Sequence, residues 1–183
     1  MLFRSTAPWS RQGSPKADAM VTDLRGIVLG VLTADCVPVF FADPEASVIG
    51  VAHAGWKGAL GGVVEAVVNA MTRLGATPGN IVAAIGPCIG QKSYEVGAEF
   101  RAEFCAADRA NEAYFMPASR AGYHMFDIAG YVAGHLERLG LGTVETLAFD
   151  TYADEERFFS YRRACHNSES DYGRLLSLVA LEL

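Results

Sequence analysis

The chain has 183 residues, of which 51% are hydrophobic and 20% charged, so it can bury a sizeable core and is not a disordered segment. Its net charge of −6 argues against sequence-independent nucleic-acid binding, which needs a basic surface to displace counterions. No apolar run approaches the roughly 18 residues of a membrane span, and the first residues lack the pattern of a secretory signal; the expectation is one cytoplasmic domain over residues 1–183.

Residues 1–20 show no period and read as irregular. The runs Gly26–Thr33, Val37–Asp43 and Ser47–His53 read as three strands, and the short Asp43–Pro44 turn makes the last two an antiparallel hairpin. Leu60, Val63, Val64, Val67, Val68, Met71 and Leu74 recur at steps of three and four, which predicts one helix ending near Gly75. Ile81–Gly86 reads as a strand and Val96–Ala107 as a helix. "HMFD" is a short strand, and Asp127 caps a helix from Ile128 to Leu139. "TVETLAF", "FFSYRRA" and "LLSLVAL" read as further strands. The mixture predicts an α+β fold with mixed sheets covered by helices.

A hairpin brings its outer ends together, so Cys36 and His53 are expected to meet at one mouth with Asp35 and the "AGWKG" turn. Three readings of this pair stand side by side. Thiolate sulfur and imidazole nitrogen suit zinc, which in catalytic sites takes three protein ligands and a water. Alternatively, His53 activates Cys36 as a nucleophile. Or the two residues simply pack. The other cysteines (Cys88, Cys105 and Cys165) read as reduced thiols, since none forms a CxxC pair.

Four ordered blocks carry a resemblance: "ADAMVTDLRGIVLGVLTADCVPVFFAD", "GVAHAGWKGAL", "AAIGPCIGQKSYEVG" and "TYADEERFFSYRRA". Together they resemble the laccase-domain, or multicopper polyphenol oxidase, family, whose members are also called peptidoglycan editing factor and purine nucleoside phosphorylase. The resemblance implies a layered α/β/α-type sandwich related to the catalytic domain of cytotoxic necrotizing factors. It implies a zinc site of two histidines and one cysteine, with Cys36 and His53 as the matching ligands. The remaining family histidine belongs to an upstream "Q-x-H" stretch. No histidine precedes His53 here, so the N-terminal part of the domain is expected to be missing. Within this chain His124 is the best substitute ligand.

The implied activity is phosphorolysis of adenosine, inosine and methylthioadenosine, together with adenosine deamination. The implied partners are a purine nucleoside and phosphate, with no nucleic acid and no membrane. Asp35, Cys36 and His53 are the catalytic candidates; Trp56, Lys57, Arg162 and Arg163 are the substrate- and phosphate-binding ones. Asp35 either orients His53, carries a proton or serves a turn. Arg162 and Arg163 fall in an expected strand, where neighbours face opposite ways, so at most one faces the site. Trp56 either stacks a base or packs, and Lys57 is either a ligand or a solvated charge. A thiol hydrolase acting on peptidoglycan precursors and a non-catalytic binding domain are the alternatives. Copper is the secondary cofactor, because a single Cys/His site falls short of a multicopper cluster.

Overall fold

Apolar runs bounded by turn residues build the sheets of the computed structural model, which describes residues 2–7, 13 and 15–182. The strands are β1 (Leu2–Arg4), β2 (Ala19–Thr22), β3 (Val28–Thr33), β4 (Val37–Asp43), β5 (Val48–Ala54), β6 (Val82–Ile85), β7 (Glu95–Gly97), β8 (Phe115–Pro117), β9 (Tyr123–Phe126), β10 (Thr143–Thr146) and β11 (Leu175–Ala180). The helices are α1 (Trp56–Leu60), α2 (Val63–Arg73), α3 (Ala98–Ala107), α4 (Ile128–Arg138) and α5 (Tyr161–His166).

A six-stranded sheet in the order β1-β2-β5-β4-β6-β10 forms the centre. Its inner pairs are antiparallel and its edge pairs, β1 with β2 and β6 with β10, are parallel. The β4–β5 hairpin forms as its turn sequence predicts. Buried Asp43 fixes that turn by accepting from the amides of Glu45, Ala46 and Thr77. Helix α2 packs on β5 and β2, and α4 on β6 and β10, so one face of the sheet lies under helices. Val64, Val67, Val68 and Met71 of α2 are buried there. The other face is covered by the antiparallel pair β3–β11, where Leu29 and Val31 pack with Ile49 and Val51. The outer side of this pair shows Val28, Leu32, Leu176 and Leu178 to solvent.

A third, three-stranded sheet in the order β7-β9-β8 carries α3. Phe104 and Phe126 meet there with ring centroids 4.7 Å apart, Phe100 stacks on Phe104 at 5.0 Å, and Tyr131 meets Phe104 edge-on at 5.0 Å. Such pairs add roughly 0.5–1.5 kcal/mol each beyond their buried area. The α+β class with mixed sheets is therefore as the sequence implies.

Four local expectations are corrected. Residues 1–20 are not wholly irregular: β1 and the start of β2 lie there, and Ser5 donates its amide to Val21 O at 2.8 Å. The rest of that segment includes residues outside the described ones. The first predicted helix is two helices, because Gly62, the N-cap of α2, adopts a left-handed φ of 80° that interrupts the run after α1. Val96 belongs to a strand rather than to the helix that follows it. "FFSYRRA" is no strand. Ser160 caps α5 by accepting from the Arg163 amide at 3.1 Å, and that local bond favours helix over an extended run.

Candidate functional site

The turn between β3 and β4 and the loop between β5 and α1 lie at one end of the central sheet. The β4–β5 register sets Pro38 opposite His53 and Val37 opposite Ala54. Cys36, immediately before β4, is thereby brought to the same end as His53. Gly55 marks where they approach. A Cβ on Gly55 would lie 3.2 Å from Cys36 Sγ and 3.9 Å from His53 Nε2, so Gly55 is the point at which the two side chains come near each other. His53 is also held from behind. Its amide donates to Asp18 O at 2.7 Å, and its Nδ1 lies 3.8 Å from the Asp18 carboxylate. A carboxylate on that side suits a ring that offers Nε2 forward. Orienting His53 is one of the roles the sequence offers for Asp35; the carboxylate beside the His53 Nδ1 is that of Asp18.

Burial pushes the Cys36 thiol up to about 11, and the neighbouring Asp35 charge adds to the effect. The protein alone thus keeps Cys36 protonated at neutral pH, and a cation beside the sulfur is what would release the proton.

Cys36 opens onto a cavity of about 290 Å³ whose walls include Trp56, Tyr94, Ile128, Tyr161 and Arg162. This is at the small end of ligand pockets, roughly 300–1,000 Å³. Its lining combines aromatic rings with one guanidinium, a combination suited to a flat heterocycle carrying or accompanied by an anion. The Arg162 guanidinium stands 5.3 Å from the centre of the Tyr94 ring and donates to Glu95 O at 2.9 Å. Burial also pushes the Tyr94 phenol up to about 12, so it stays a neutral donor and acceptor. On the other side of Gly55 and Trp56, a second cavity of about 250 Å³ is lined by Asp18, His53 and Lys57.

Trp56 serves both wall and core: its ring is 4.9 Å from Phe100 and also borders both cavities. Lys57 is exposed, with Nζ 5.2 Å from the Trp56 ring centre. Arg163 is not at the cavity. Its guanidinium donates to Thr151 O and Tyr152 O, each at 2.8 Å, and to Phe158 O, which makes it a brace for the preceding loop. The two arginines part because they sit on successive positions of a helix, about 100° apart, not on a strand.

His124 lies on β9, with its Nδ1 buried and without a hydrogen-bond partner, beside Phe115. Among the described residues no group of three His, Cys, Asp or Glu side chains is placed to hold a metal, so His124 does not complete the pair. His135 bonds Glu65 at 2.6 Å and ties α4 to α2, and His166 bonds the Tyr152 hydroxyl at 2.9 Å. Cys88 is buried in the core. Cys36 and His53 fit zinc in kind, as sulfur and nitrogen donors, and would supply two of the three protein ligands that a catalytic zinc takes.

The sequence reading passed over Asp18, Tyr94, Thr151, Ser160 and Tyr161. Ser160, three residues before Arg163 and ahead of "YRRAC", was the one with a local signal, that of a helix cap. Residues 4–182 match the family model described as multi-copper polyphenol oxidoreductase laccase. The chain belongs to that family. It is 42% identical to a purine nucleoside phosphorylase of Streptomyces coelicolor over 176 residues, covering 96% of this chain and 69% of that relative. It is 35% identical to a purine nucleoside phosphorylase of Rickettsia conorii, covering 92% of this chain and 69% of the relative. Among solved structures, a DUF152-family protein of Neisseria meningitidis superposes with a TM-score of 0.82 at 32% identity, over 94% of this chain and 68% of that one. YlmD of Geobacillus stearothermophilus superposes at 0.83 with 28% identity, over all of this chain and 70% of that one. No helix among the described residues is long and apolar enough to cross a membrane.

Proposed function

We propose that this chain carries the core of a zinc-dependent purine nucleoside phosphorylase, with adenosine deamination as a second activity of the same pocket. The observation that carries this reading is the approach of Cys36 Sγ and His53 Nε2 to one point beside Gly55, with Cys36 also lining an aromatic cavity that includes Arg162. The names of the curated relatives point the same way.

Zinc held by Cys36, His53 and a further donor would act as a Lewis acid and lower the pKa of a bound water, the chemistry that deamination at a purine carbon needs. The chain's own residues do the rest. Trp56, Tyr94 and Tyr161 offer ring faces and edges to a purine. Arg162 offers a planar fork to phosphate, the nucleophile of phosphorolysis. Tyr94, kept neutral by burial, offers a hydroxyl to the base or sugar. Asp18 keeps His53 turned so that Nε2 faces forward.

The test is release of free base from adenosine and inosine, with and without phosphate, alongside zinc content measured after gel filtration. Wild-type protein is expected to release base only with phosphate, and to lose both zinc and activity as Cys36→Ser. Phosphate-dependent turnover that survives Cys36→Ser at the wild-type rate would reject the reading. Activity that resists chelators but is abolished by alkylation of Cys36 would replace it with thiol chemistry.

A further inference from the structure

Asp35 is the most heavily bonded side chain at the cavity, and its carboxylate bonds Thr151, Ser160 and Arg162 rather than His53. It is only 8% exposed, and its φ of 80° puts it in the left-handed region. Its Oδ1 accepts from Thr151 Oγ1 at 2.7 Å. Its Oδ2 accepts from Ser160 Oγ at 2.9 Å and from the Arg162 amide at 2.7 Å. Its backbone oxygen takes the Ile89 amide at 3.0 Å. One buried residue thus gathers three separate segments. Of the two arginine amides in the first turn of α5, Ser160 serves that of Arg163 and Asp35 serves that of Arg162, from across the cavity floor.

We propose that Asp35 is the positioning residue of the pocket: by holding the Arg162 amide it fixes where the Arg162 guanidinium stands relative to Cys36. The function of that placement, anion binding, rests on the phosphorylase reading above; the placement itself does not. Two tethers meet on Arg162. Asp35 holds its backbone, and Glu95 O with the Tyr94 ring holds its side chain. Cys36 is the next residue after Asp35, so the turn that presents the thiol is the turn that anchors the cation. A buried carboxylate that accepts three hydrogen bonds is satisfied where it is and has little left to offer a substrate. This separates positioning from proton transfer.

Two substitutions distinguish the roles. Asp35→Gly removes the carboxylate and suits the left-handed backbone. Asp35→Asn also tolerates that backbone. Its carbonyl oxygen can face Ser160 and the Arg162 amide while its NH₂ donates to Thr151 Oγ1, a hydroxyl that can also accept. Positioning therefore predicts rescue by asparagine, whereas a proton-carrying role predicts loss with either variant.

The first readout is hydrogen exchange at the Arg162 amide, which needs no activity. It is expected to speed up about tenfold or more in Asp35→Gly and to stay near wild type in Asp35→Asn. The second is the phosphate KM in nucleoside phosphorolysis. Asp35→Gly is expected to raise it roughly tenfold with a smaller change in kcat, and to add little on top of Arg162→Ala, as coupled residues do. If Asp35→Gly does not fold, Asp35→Asn still decides, because a kcat loss of about 100-fold with unchanged Arg162 exchange would overturn the proposal. Unchanged exchange in folded Asp35→Gly would overturn it as well. A wild-type protein without phosphorolysis would fail the functional reading alone, and the Arg162 amide would still judge the placement.

Discussion

Trp56 stands between two regions that are held together by different physics. On one side, the cavity floor and the loop behind it are tied by directional polar bonds: at the floor Asp35 to Thr151, Ser160 and Arg162, and in the loop Arg163 to three backbone carbonyls. On the other, Phe100, Phe104, Phe115 and Phe126 pack as rings with no polar bond among them. Packing is tolerant of shape-conserving change and sensitive to lost volume. Polar bracing is the reverse: it tolerates little change of donor or acceptor, whatever the volume. The cavity thus has one wall that yields and one that does not.

The largest effect that sharpens this contrast is Phe104→Ala. Phe104 is fully buried, so the loss is expected to be about 3–5 kcal/mol of stability, read by urea unfolding. Next comes Arg163→Ala, which leaves the Thr151, Tyr152 and Phe158 carbonyls without their donor and is expected to cost about 2–3 kcal/mol. Arg163→Lys should recover less than half of that, because an ammonium cannot fork across three acceptors. Full recovery by lysine would break the contrast.

A smaller effect comes from pH. Burial pushes the Cys88 thiol from 9.0 up to about 12, with charges of Asp127 and Asp150 adding to it. The folded state then favours the protonated thiol. Its contribution is complete below about pH 9, where the unfolded thiol is also protonated, and is lost as pH rises from there toward 12. The slope from this one proton is about 1.4 kcal/mol per pH unit. Unfolding midpoints measured from pH 8 to 10.5 should fall less steeply in Cys88→Ala. The smallest effect is Asp127→Ala. It removes the acceptor for the Gly130 amide, 2.8 Å away, at the start of α4 and should cost about 1 kcal/mol.

How much of this was legible in the sequence follows from range. The β4–β5 hairpin and the α2 face were legible because period and turn chemistry act locally, and the Asp127 cap was legible for the same reason. The approach of Cys36 to His53 followed from the hairpin alone. Thr151 and Ser160 were not legible as partners of Asp35, because nothing local marks a bond made across more than a hundred residues. Helix α5 was missed because its aromatic and arginine residues suit a strand equally well, and Ser160 decides the matter. Arg162 and Arg163 were both candidates because a guanidinium suits phosphate, yet their separation has a helical cause rather than a strand's alternation.

The pairing of β3 with β11 has a consequence in time. Thr33 pairs with Leu175 and Val28 with Ala180, so β3 waits for a partner far along the chain. Pairing of such distant segments is slow, because a long loop must close before any contact rewards it. In chain order β4 and β5 come early, leaving Ile49 and Val51 on a face that only β3 and β11 cover, and β11 follows every other described strand and helix. Until β11 has been made, that face lacks half of its cover and stays an apolar surface open to water.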